Sequence, residues 1–174
     1  MQLTDAISLI ETTDYRQNQA TQWADLGCGK GLFTKALASF QKPGSVIYAV
    51  DTDRSALQSI SRENSVRIEP VWLDFIQDDW PFQNLDGILM ANSLHYVNDK
   101  KGFLQKAIQH LTDSGSFLIV EYDTEKANPW VPYPIGFRSL GQLFHSLGFG
   151  SIKKVGERPS LYGQAHMYAS YISR

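Results

Sequence analysis

Strand-like and helix-like segments alternate along this chain, which predicts an α/β fold: a doubly wound, mostly parallel sheet with helices on both faces. Two further observations sharpen that expectation. A run with three alternating glycines, from Ala24 to Thr34, joins an apolar strand end to a helix start. Near the C-terminus two strand-like segments follow one another with no helix between them, the pattern of an antiparallel hairpin. With five earlier strands, the sheet is expected to have seven.

The elements follow in order. Leu3, Ala6, Ile7 and Ile10 share a helical face and predict a short N-terminal helix. A polar stretch, Thr12 to Thr21, leads to a first strand around Trp23 to Leu26, and Leu32 to Phe40 is read as the next helix. Ser45 to Asp51 is apolar and rich in β-branched and aromatic residues, so it predicts a buried strand ending in an acid. A helix is expected over Ser55 to Glu63, with Asp53 as its N-cap. Val71 to Phe75 is read as closing a third strand, and Gly87 opens the fourth.

Lys101 to Leu111 is read as a helix whose Phe103, Leu104, Ala107, Ile108 and Leu111 form one apolar stripe, a core-packing pattern. Asp113-Ser114-Gly115 is expected to turn the chain into a fifth strand, Ser116 to Glu121. Pro129, Pro132 and Pro134 exclude a regular helix between Asn128 and Phe137. Ser139 is expected to cap a helix carrying Leu140, Leu143, Phe144 and Leu147, stopped at Gly148-Phe149-Gly150. Segments near Ser151 to Gly156 and Ala165 to Ile172 supply the hairpin. Nothing divides the chain, so residues 1–174 are read as one domain: a short N-terminal helix and pocket-lining stretch (1–20), then the core (21–174).

The glycine loop carries the chemistry. Lacking Cβ, Gly27, Gly29 and Gly31 can take positive φ and let backbone approach a ligand, and the loop amides and helix start are expected to present partial positive charge to it. A nicotinamide or flavin loop spaces its glycines Gly-x-Gly-x-x-Gly, which would need glycine at position 32, where Leu32 stands. Asp25, two residues before Gly27, also sits poorly beside a pyrophosphate and suits a cationic ligand end. A positively charged cofactor without phosphates fits better.

Asp25 to Gly31 resembles, without gaps, the Asp/Glu-x-Gly-x-Gly-x-Gly motif of the class I S-adenosylmethionine-dependent methyltransferases, whose core is a Rossmann-like sheet. Other landmarks follow in order. Asp51 ends the second strand twenty residues beyond Gly31, about where an acid meets a ribose in such sites. Asp74-Phe75 resembles the family's adenine-binding pair, and Leu94-His95-Tyr96-Val97 resembles the Leu-His-x-Val that often follows its fourth strand. The resemblance implies S-adenosylmethionine as cofactor and S-adenosylhomocysteine as product. It implies a cofactor site of Asp25, Gly27, Cys28, Gly29, Gly31, Asp51, Thr52, Asp74, Phe75 and Met90. Asp51 would accept from ribose hydroxyls, Asp74 from the adenine amine, and Phe75 would offer its amide and ring. No metal is assigned.

Methyl transfer needs no covalent intermediate, because the donor already carries the electrophile. A base is required only when the acceptor is a hydroxyl or a protonated amine, and His95 is the candidate. A histidine there is also read as a structural residue, and Cys28 as a small loop residue. Tyr15, Arg16, Trp130, Tyr133 and Phe137 are expected to line the acceptor pocket, whose aromatic character suits a small, partly apolar molecule. A protein side chain is an alternative acceptor, and a non-catalytic cofactor-binding module is an alternative function. Asn92-Ser93-Leu94-His95 departs from the Asn/Asp-Pro-Pro-Tyr of nucleic-acid amino-methyltransferases, which argues against base methylation.

Composition agrees. The 174 residues suit one domain. A formal charge of −2 and a pI near 6.1 leave no global attraction to nucleic acid. No apolar run reaches membrane-spanning length and the N-terminus lacks a secretion signal, so a cytoplasmic location is the default expectation. The lone Cys28 excludes an internal disulfide.

Overall fold

A computed structural model describes residues 1–14, 18–60, 65–159 and 165–174. Its centre is one seven-stranded sheet, ordered β3-β2-β1-β4-β5-β7-β6. The strands are β1 (Gln22–Leu26), β2 (Val46–Asp51), β3 (Arg67–Trp72), β4 (Leu85–Ala91), β5 (Leu111–Tyr122), β6 (Ser151–Pro159) and β7 (His166–Ser173). β1 to β5 pair in parallel, whereas β7 runs antiparallel to both β5 and β6. The expected C-terminal hairpin is therefore present. The chain first winds outward through β2 and β3 and then returns to place β4 on the other side of β1. That reversal opens a crevice at the carboxyl ends of β1 and β4.

Side-chain alternation in the strands builds the two layers. Ile88 and Met90 of β4, with Phe117 and Ile119 of β5, face one core layer; Leu89, Leu118 and Val120 face the other. Helices α4 (Lys100–Ile108) and α5 (Phe137–Ser146) cover the first face through Phe103, Leu104, Ala107, Leu140 and Phe144. Helices α1 (Leu3–Ile10), α2 (Leu32–Ala38) and α3 (Arg54–Gln58) cover the second through Ala6, Leu9, Ile10, Phe33, Leu37 and Leu57. Both faces are buried, as a parallel sheet requires.

Several boundaries differ from the sequence reading. The third strand ends at Trp72 instead of reaching Phe75, because the Asp74 carboxylate accepts from the amides of Ile76 and Gln77 (2.9 and 3.3 Å) and turns the chain. α3 ends at Gln58, and residues 61–63 of the expected longer helix lie outside the described residues. Leu111 belongs to β5 and not to α4. Asp113 to Gly115 do not form a separate turn before β5. They lie within its extended span, where the register against β4 slips between Leu85 and Gly87.

Ser139 lies inside α5 and does not cap it. The amides of Gly136 and Phe137 donate instead to Glu125 (3.1 Å) and Asp123 (2.8 Å), and the Ser139 hydroxyl joins Glu125 at 2.6 Å. Asp53 does cap α3, accepting from Ser55 and Ala56, which holds its carboxyl below the usual carboxylate range.

Candidate active site

The glycine loop closes directly after β1. Gly27, Gly29 and Gly31 all have positive φ (78°, 53° and 77°). At Gly27 a Cβ would also lie 2.6 Å from Ser93 Cβ, so the loop needs glycine there for space as well as conformation. Ser93 just beyond β4 donates its hydroxyl to the Leu26 carbonyl at 2.6 Å, locking the ends of β1 and β4 together.

The loop amides do not point where the sequence suggested. Gly27 and Cys28 donate to Val50 O (2.8 and 2.9 Å), Gly29 donates to the Asp51 carboxylate (2.7 Å), and Gly31 donates to Cys28 O (2.9 Å). These four N–H groups are consumed inside the fold and present no positive cradle. What gathers here is acidic. Asp25 is 1% exposed; its Oδ2 accepts from the Thr34 hydroxyl at 2.6 Å, and its Oδ1 is buried without a partner among the described residues. Burial pushes the Asp25 carboxyl up to about 7, the Thr34 hydrogen bond opposes this, and the Asp51 charge adds to the rise. Burial, with Asp25 and Asp51 nearby, also pushes the Cys28 thiol up, so Cys28 is a neutral loop residue. With Asp51 beside it and Asp25 ready to give up its proton to a neighbouring positive charge, such a loop favours a cation over phosphate.

Asp51 sits half-buried at the end of β2, its second oxygen accepting from the Asp53 amide at 2.9 Å. Thr52 is exposed, and its carbonyl accepts from the Trp72 indole at 3.0 Å. A groove of about 530 Å³ flanks this end, where the Arg54 guanidinium lies 3.6 Å over the Trp72 ring. Asp74 spends one oxygen on its turn. The Phe75 ring is buried, edge-on to Phe103 at 5.7 Å, so it is core and not an open stacking platform; its amide makes no hydrogen bond among the described residues. Met90 requires a similar correction: its side chain is fully buried in the core layer that also holds Ile88 and Phe117.

Beyond β4, Asn92 has φ 54° and its Oδ1 is buried without a partner among the described residues. Leu94–Tyr96 forms a short 3₁₀ helix that buries His95 (3% exposed). His95 Nδ1 lies 2.7 Å from Oε2 of Glu121 on β5, and the His95 amide donates to Oε1 at 3.1 Å. The sequence reading treated Glu121 merely as the end of a strand. Its one signal was an acid directly after the apolar run Phe117 to Val120, since an acid in a buried strand needs a partner.

The proposed pocket wall comes together only in part. The Tyr133 amide donates to the His95 carbonyl at 3.0 Å, which brings Tyr133 to the site. Phe137 instead packs edge-on to Tyr168 with Lys154 over its ring, and Trp130 is 82% exposed on a turn tied by Asn128, so it encloses nothing. Tyr15 and Arg16 lie outside the described residues. No helix among the described residues is long and apolar enough to cross a membrane.

Comparison with known proteins gives a consistent picture. A family model described as a methyltransferase domain matches residues 24–117. The plantazolicin methyltransferase BpumL, solved in complex with SAH, is similar with a TM-score of 0.71 at 14% identity, over 99% of this chain and 84% of that one. A SAM-dependent methyltransferase from Archaeoglobus fulgidus gives 0.68 at 16% identity, over 92% and 88%. One from Methanosarcina mazei gives 0.67 at 14% identity, over 91% and 93%. At these identities the likeness concerns the fold. No curated protein sequence matches significantly.

Proposed function

The chain belongs to the methyltransferase-domain family, matched from its first strand into its fifth, and from that premise we propose that it transfers a methyl group from S-adenosylmethionine to a small, partly apolar acceptor. The observation that carries this reading is the sign of the loop. Its first amides turn inward while Asp25 and Asp51 stand together behind and beside it, an arrangement that favours a cationic, phosphate-free ligand over a dinucleotide.

Gly27 and Gly29 flank the amino-acid end of the donor, and the unpartnered Asp25 Oδ1 faces a need that an ammonium or a bridging water meets. Asp51 keeps acceptor capacity beyond the Gly29 and Asp53 amides and receives the ribose hydroxyls. The second oxygen of Asp74, which makes no hydrogen bond among the described residues, and the amide of Phe75 hold the adenine edge. When bound, S-adenosylmethionine supplies a methyl group already activated by the sulfonium. The chain's own task is to align an acceptor with that group and exclude water, and positioning of this kind is worth several kcal/mol, roughly 7–11 at best. His95, beside Tyr133, takes the acceptor proton where there is one to remove.

Isothermal titration with S-adenosylmethionine, S-adenosylhomocysteine and NAD tests the reading. Micromolar binding of the first two, with none of NAD, is expected. Binding of NAD alone, or of no nucleotide, would reject it.

A further inference from the structure

We propose that Glu121 is a positioning residue that fixes His95 as a general base, and that the acceptor is therefore a neutral hydroxyl converted to a methyl ether. The inference rests on reading the crevice as a methyl-transfer site.

Glu121 is 1% exposed within the apolar β5, where an uncompensated carboxylate would cost several kcal/mol. Both of its oxygens are committed to one residue. Oε1 takes the His95 amide at 3.1 Å, which alone would suffice to hold the 3₁₀ turn; Oε2 takes the ring at 2.7 Å, which the turn does not need. A carboxylate only accepts, so Nδ1 carries the proton and the lone pair of the neutral ring lies on Nε2. Nε2 has no partner among the described residues.

The surroundings hold this arrangement. The His95 carbonyl is tied to the Tyr133 amide, and the ring lies 4.5 Å from that of Tyr96. Lys100 gives its ammonium to the carbonyls of Val97 and Tyr133 (2.8 and 2.6 Å), leaving the Glu121 hydrogen bonds to His95. Asp123 and Glu125 are turned toward the start of α5, so they are not placed to receive an ammonium acceptor. Exposed Tyr96 and Tyr133 make the surroundings aromatic.

A base is wasted on a thioether, a carboxylate or a tertiary amine, none of which has a proton to lose. With a hydroxyl the step balances. The O–H proton passes to Nε2, the oxygen forms a bond to the methyl carbon, and the carbon–sulfur bond breaks with its electron pair left on sulfur. The imidazolium, paired with Glu121, then returns its proton to water.

Two readouts test the proposal. In ¹⁵N-labelled wild-type protein saturated with S-adenosylhomocysteine, long-range ¹H–¹⁵N spectra should show His95 protonated at Nδ1 and bare at Nε2. A proton found on Nε2 overturns the proposal without any variant. Methyl transfer is then compared for 4-methylphenol and for 4-nitrophenol at mildly alkaline pH, where the latter is already an anion. Glu121→Gln should lower kcat for 4-methylphenol about 10- to 100-fold with little change in KM, and leave 4-nitrophenol within about threefold. Equal losses with both phenols would reduce Glu121 to a structural role, and wild-type protein that binds S-adenosylhomocysteine but methylates neither phenol would overturn the hydroxyl acceptor. Absence of S-adenosylhomocysteine binding would instead defeat the methyl-transfer reading beneath it.

Discussion

Replacing Asp25 with Asn should flatten the pH dependence of stability of the ligand-free protein between pH 5 and pH 8. Asp25 is 1% exposed, its only hydrogen bond among the described residues comes from Thr34, and burial raises its carboxyl to about 7 against 3.8 for an ordinary aspartate. The folded chain thus holds a proton that the unfolded chain releases. Where the folded state binds more protons, stability falls as pH rises, so this contribution is intact below about pH 4 and gone above about pH 7. At 1.36 kcal/mol per pH unit the whole effect is about 4 kcal/mol, of which about 3 falls between pH 5 and pH 8.

Asp5, Asp14 and Asp53 carry the opposite shift, held low chiefly by hydrogen bonds, and their contributions are lost only under more acid conditions. Urea unfolding of both proteins at pH 5, 6, 7 and 8 isolates the Asp25 contribution. The advantage of wild type over Asp25→Asn should shrink by about 3 kcal/mol across the series. An advantage that stays constant would refute the buried, protonated carboxyl.

Three further outcomes are expected. Asp51→Ala removes the acceptor for the Gly29 and Asp53 amides as well as the ribose contact, and should weaken S-adenosylhomocysteine binding at least tenfold, about 1.4 kcal/mol, by calorimetry. Gly27→Ala meets both a φ of 78° and the Ser93 Cβ; a loss of about 1–3 kcal/mol in denaturant unfolding is anticipated, only partly recovered by adding Ser93→Gly. Gly87→Ala would drive its Cβ into the Trp23 ring, which is fully buried, so a loss of about 3 kcal/mol should appear with no direct effect on ligand contacts; unchanged stability would mean that the β1–β4 packing is looser than described.

Much of the fold was legible because it is written in local periods. Unbroken apolar runs marked β4 and β5, as a sheet buried on both faces requires, and the helical stripe of α4 showed in Phe103, Leu104 and Ala107. The loop was legible for a steric reason: Gly27, Gly29 and Gly31 occupy backbone conformations that side chains rarely tolerate. Boundaries failed where a side chain chose between local partners. Asp74 turned the chain two residues past the end of β3, and Asp123 and Glu125 took over the capping expected of Ser139. The burial of the Met90 side chain and the Phe75 ring was not legible, because a motif names residues without saying which face of the sheet each side chain meets.

By itself the sequence determined the doubly wound architecture, the strand-end acids and the glycine loop, since these follow from torsional sterics and short-range burial patterns. Only the tertiary structure decided that the loop amides turn inward, that Asp25 is sealed from water, and that Glu121 meets His95 across 26 residues of chain. Those properties depend on which groups the packed sheet brings within hydrogen-bonding distance and on how much water it excludes, and neither is encoded in any short stretch of residues.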